Sequence, residues 1–159
     1  MSRHCTGVTL VELLILVAVV AVLAGTAISL LSGGHLETAG EDAAHRLATD
    51  LAFAQANAIA NRSERLVIFS AVEGSYSVCS AGGTPLTHPV TKKPFLVELT
   101  GLYRGANIAI QTASFGGSDT LRIGVDGIPV SGGKVMLYAG GTTWQIAVAD
   151  GTGHISISE

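Results

Sequence analysis

Few residues in this 159-residue chain have the type and spacing to do chemistry, and the most informative is Glu12 in "GVTLVELLI", residues 7–15. It stands at the mouth of a long apolar run, where a carboxylate costs a few kcal/mol in lipid and so calls for a partner or a task. The remaining candidates read as ordinary. His35, His45, His88 and His154 show no metal-ligand spacing, and neither an HExxH nor a paired CxxC is present. Ser131-Gly132-Gly133-Lys134 lacks the spacing and the trailing hydroxyl of a phosphate loop and reads as a hairpin turn. Asp126 and Asp150 each precede a glycine, which is turn chemistry, and two isolated aspartates do not make a calcium site. Cys79 sits in a strand pattern as a small hydrophobe. No catalytic residue, metal or cofactor is expected, and the chain reads as no enzyme.

The elements that must position Glu12 begin with "LLILVAVVAVLAGTAISLL", Leu13–Leu31, which carries no charge and meets the roughly 18-residue threshold for a membrane span. Arg3 and the amine precede it, while Glu37, Glu41 and Asp42 follow, so the charge bias keeps the N-terminus cytoplasmic and exports the rest. A cleaved secretory signal ending at "GTA", 25–27, is one alternative, although signal peptides prefer a purely apolar start. A plain anchor leaves Glu12 without a task. A buried core helix is the weakest reading, because a small domain can hardly cover so uniformly apolar a segment.

Residues 35–63 then read as an amphipathic helix. Ala43 or Ala44, Leu47, Leu51, Ala54 and Ala58 recur every three to four positions, and Glu41–His45 and Asp42–Arg46 stand at i, i+4. No proline separates the two helical stretches; a helix unbroken from 8 to 61 would be on the order of 80 Å long, with Gly33-Gly34 and Gly40 the places for a bend. After Asn61 the period changes to two. Strands are expected at 66–72, 76–80, 95–99, 107–111, 120–125, 134–139, 143–149 and 154–158, with turns at Asp126-Gly127, Gly132-Gly133, Gly140-Gly141 and Asp150-Gly151. Residues 87–94, "THPVTKKP", form the clearest irregular loop. The expected fold class is α+β: one long N-terminal helix, apolar then amphipathic, packed on an antiparallel β domain.

Composition fits this plan. Hydrophobic residues make up 48% and charged residues 13% of the chain, and the mean hydropathy is +0.49. The apolar excess lies near the N-terminus, and most of the 20 glycines follow residue 70. A net charge of −3 provides no global field to attract nucleic acid. The two cysteines, Cys5 and Cys79, do not suggest a disulfide framework.

Gly7-Val8-Thr9-Leu10-Val11-Glu12 resembles the type IV prepilin signature, in which a short leader ending in glycine precedes an apolar helix with a glutamate near its start. Val8 stands where phenylalanine or methionine is commoner, and Arg3 and His4 where two firm cations are usual. "LATDLAFAQANAIANRSERLVIFS" and the ending "TLRIGVDGIPVSGGKVMLYAGGTTWQIAVADGTGHISIS" resemble the GspH/FimT-type minor pseudopilins. The resemblance implies a prepilin peptidase that cuts between Gly7 and Val8 and methylates the new amine. It implies a leader at 1–7, a transmembrane and filament-core helix at 8–34, its amphipathic continuation at 35–62 and an exported β domain at 63–159. Glu12 would then pair with the mature amine of a neighbouring subunit. Partners would be the peptidase, other pseudopilins, the inner-membrane assembly platform and membrane lipid.

A type II secretion pseudopilus is the first reading. A FimT-like DNA-binding pilin is the second, and a bitopic membrane protein with an unrelated exported β domain the third. DNA-binding members carry an arginine-rich ending; here His154 stands in that place and no lysine or arginine follows Lys134. Lys92-Lys93 with Arg62 and Arg65 could form only a small basic patch, so nucleic acid is a disfavoured partner.

Overall fold

The computed structural model describes residues 10–103, 105–139 and 141–159, with residues 23–37 described by backbone alone. The chain divides into two compact units between His35 and Leu36. Helix α1, Leu10–Asn61, contributes residues to each. The strands are β1 (Arg65–Ser70), β2 (Ser75–Ser80), β3 (Leu96–Glu98), β4 (Ala109–Phe115), β5 (Thr120–Ile123), β6 (Gly133–Ala139), β7 (Thr142–Val148) and β8 (Ile155–Ser158). A single helical turn, α2 (Leu99–Leu102), follows β3.

Two antiparallel four-stranded sheets result, ordered β3-β2-β1-β5 and β4-β6-β7-β8. The hairpins β1–β2 and β6–β7 keep Arg65 opposite Ser80 and Gly133 opposite Val148. The link from β4 to β5 is a tight turn through Gly116 and Gly117, both at positive φ, closed by hydrogen bonds between Phe115 and Ser118. The fold class is therefore α+β with antiparallel sheets, as expected.

The second unit has one core. Ala43, Ala44, Leu47, Leu51, Ala54 and Ala58 of α1 are all at most 1% exposed, so the expected apolar stripe faces inward. They join Val67, Phe69, Val78, Leu121 and Ile123 of one sheet and Ile110, Val135, Leu137, Ile146 and Val148 of the other in a single cluster. Small residues let the helix come close. Gly40 is buried, and a Cβ there would lie 2.7 Å from Trp144 Nε1 and 2.8 Å from Ala139 Cβ, so this glycine serves a packing purpose. α1 ends in a Schellman arrangement: Arg62 takes φ 47°, its N–H donates to Ile59 O, and Ser63 N–H donates to Ala58 O.

Several local expectations change. Arg46 pairs with Asp50 at 3.9 Å rather than with Asp42, because Asp50 lies toward the interior while Asp42 is exposed. Glu41 and His45 do pair, at 3.9 Å. Gly133 opens β6 instead of forming a turn, because the reversal occupies 124–132, where Gly124 N–H donates to Ile128 O. The strand expected at 107–111 begins at Ala109 and continues to Phe115, with a register shift between Ile110 and Thr112. Asp126 acts as a turn residue, accepting from Ile128 N–H, whereas the Asp150 carboxylate accepts from Gly132 N–H, 18 positions away.

Candidate assembly site

Of the expected site residues, Gly7, Val8 and Thr9 lie outside the described residues. Leu10, Val11 and Glu12 are described and open α1, with Glu12 in its first turn. Leu10 is 79% exposed and Val11 65%, and every residue from Leu13 to Val17 is more than half exposed. Five consecutive positions cover the full circumference of a helix, so no face of this segment is covered by the described residues. Glu12 is the one charged residue from Leu10 to Val22, all of them exposed. A helix that is apolar all round is stable only when something else covers it.

Among the described residues, no helix is long and apolar enough to cross a membrane. The described side chains of the apolar run end at Val22, and those at 23–37 lie outside the described residues. The expected span at 8–34 thus falls partly outside them.

The second unit holds a polar cluster that the sequence does not single out. Tyr76 of β2 donates its hydroxyl to Asp50 Oδ2 at 2.6 Å, and Arg46 Nε faces the same oxygen at 3.9 Å. Burial pushes the Asp50 carboxyl above the usual carboxylate range, opposed by the Tyr76 hydroxyl, Arg46 and His88. Burial, then the Asp50 charge, pushes the Tyr76 phenol far above its ordinary value. The available signal is slight: Asp50 falls beside the apolar stripe of α1, and Tyr76 takes an inward phase in β2. The cluster ties α1 to β2 through the half-buried Asp50 carboxyl. Because the folded-state carboxyl binds its proton more tightly than the unfolded one, stability falls as pH rises from about 3.8 through the raised value. Asp50→Asn, which keeps an acceptor for Tyr76, should remove that slope. Denaturant midpoints from pH 3 to 7 should move in the variant's favour as pH rises, and parallel curves would contradict this account.

The basic residues do not converge. Arg65 is only 7% exposed and donates to Asn57 Oδ1 at 2.6 Å, so it drops out of the patch considered with Arg62, Lys92 and Lys93. Arg122 is paired with Glu64 at 2.7 Å, and His154 is exposed. Cys79 is a buried free thiol, 3.4 Å from the Ser77 hydroxyl. Among the described residues, no group of three or more His, Cys, Asp and Glu could hold a metal ion.

No protein-family model matches the chain, and neither does any curated protein. Two solved structures do. The type IV minor pilin FimU of Pseudomonas aeruginosa PAO1 superposes with a TM-score of 0.54 at 16% identity, over 77% of this chain and 90% of that one. The minor pseudopilin EpsH from the type 2 secretion system of Vibrio cholerae does so with a TM-score of 0.54 at 11% identity, over 75% and 95%. The fold is that of the minor pilins and pseudopilins. At such low identity the likeness rests on architecture.

Proposed function

We propose that the chain is a minor pseudopilin, a structural subunit of a type II secretion pseudopilus or of a related type IV pilus-like filament, and not an enzyme. The observation that carries this reading is the start of α1: apolar and exposed on every side, with Glu12 as its one charge, in a chain with a minor-pilin fold. A prepilin peptidase removes residues 1–7 and methylates the amine of Val8. The apolar helix holds the precursor in the inner membrane, N-terminus inside and β domain outside, until the assembly platform delivers it to the filament. There the apolar surfaces of other subunits take the place of lipid, and Glu12 meets a neighbour's amine in surroundings of low dielectric.

The DNA-binding alternative draws no support from the surface, since Arg65 is buried and Arg122 is paired. The mass of the intact protein taken from membranes tests the proposal. It should equal that of residues 8–159 plus one methyl group, and a chain that keeps its first seven residues would sink the pilin reading.

A further inference from the structure

Residues 88–93 form a closed turn. Thr87 and Pro94 pair across its base, His88 N–H donates to Lys93 O at 2.9 Å, Lys92 N–H donates to His88 O at 3.0 Å, and Lys92 takes φ 58°. Inside it, the backbone N–H groups of Val90 and Thr91 both donate to His88 Nδ1, at 3.1 and 3.2 Å. This is the geometry of a helix N-cap: the capping side chain accepts from the second and third residues, and Pro89 occupies the first position. Asparagine, aspartate, serine or threonine usually takes that role with an oxygen. Here it is taken by a nitrogen that can be protonated.

A backbone N–H can only donate, so Nδ1 must keep its lone pair, which makes the ring neutral with its proton on Nε2. A proton on Nδ1 would leave three donors facing one another and no acceptor. The ring also covers Phe95, with centroids 4.5 Å apart, and Phe95 is buried against Phe53 of α1 at 5.5 Å. Asp50 is the acid on α1 that acts on His88, and it is itself held by Tyr76 of β2 and Arg46. Lys92 and Lys93 lie in the turn itself. Asp50 attracts a charged ring; the two lysines and the two amide donors oppose it.

We infer that His88 is a proton-operated latch. Neutral, it closes the 88–93 turn over Phe95; protonated, it loses the acceptor for the Val90 and Thr91 amides, releases the turn and uncovers the Phe53–Phe95 surface. This holds whether or not the chain enters a filament.

Nitrogen-15 NMR of the full chain in detergent tests the latch. At pH 8 the His88 ring should be the Nε2–H tautomer. On acidification the Val90 and Thr91 amides should shift with the His88 midpoint, and their exchange protection should fall about tenfold or more. In His88→Asn, whose Oδ1 hangs from Cγ as Nδ1 does, both amides should stay in place across the same range, with Asp50 still present. In His88→Ala their protection should already be lost at pH 8. A neutral ring protonated on Nδ1 overturns the inference, as do amides that ignore the His88 titration or follow pH equally in His88→Asn.

Discussion

Glu12→Ala is expected to leave cleavage after Gly7 intact and to lower incorporation of the subunit into filaments by at least about tenfold. Two unit charges 4 Å apart attract by about 4 kcal/mol at an effective dielectric near 20, and roughly 1.4 kcal/mol is a factor of ten in an equilibrium. Even if desolvation cancels half of that attraction, the loss exceeds tenfold. The substitution keeps α1 intact, because alanine is the best helix former. It also makes the segment more apolar, so a subunit retained in the membrane but missing from the filament is the informative outcome. Glu12→Gln should fail similarly, since it keeps the shape and removes the charge. The measurement is the ratio of sheared-filament to membrane-bound protein at equal expression, and normal incorporation of both variants would dispose of the charge-pairing argument.

The second large effect is expected at Gly133, the first residue of β6. A Cβ there would collide with the Ser114 carbonyl oxygen on the paired strand β4 and come within 2.8 Å of Phe115 Cα. Both obstacles are backbone atoms, so no rotamer change relieves them. Gly133→Ala should cost about 3 kcal/mol or more, the upper range for overpacking, and should loosen β4 from β6. Gly82→Ala is the control, because nothing lies within 4 Å of where its Cβ would stand and its φ is not positive. Chemical denaturation of the two variants should separate them clearly; equal midpoints would mean that β4 yields at little cost.

Much of this architecture is legible in the residues because burial imposes a period. The stripe Ala43–Ala58 on α1 and the alternation in β1, β6 and β7 are each fixed by which side chains must avoid water. Where that signal weakens, reading fails in intelligible ways. Thr112, Ala113 and Ser114 continue β4 although their side chains are small or polar, because an edge strand needs only one paired neighbour. The turn at Gly116-Gly117 escapes notice for the same reason, lying beyond the point where the apolar alternation stops. The Asp50–Tyr76 bond joins residues 26 apart, and nothing local in either segment announces the other. Glu12 is legible by contrast, since one charge in an apolar run stands out without any tertiary knowledge, and its neighbours prove to be exposed.

The strand order has a consequence for how the chain reaches this state. β6, β7 and β8 follow one another and pair in sequence, so that three of the four strands of the second sheet can form from local hairpins. β1 must instead wait for β5: Arg65 pairs with Ile123 and Ile68 with Thr120, across a long intervening segment. Closing so large a loop is the slow, entropically costly event in the β domain. Until Leu121 and Ile123 arrive, β1 lacks one of its two neighbouring strands and its edge stands open. A chain emerging from synthesis N-terminus first therefore spends its most aggregation-prone interval between residues 70 and 123, and a chaperone that shields this protein should act on that stretch.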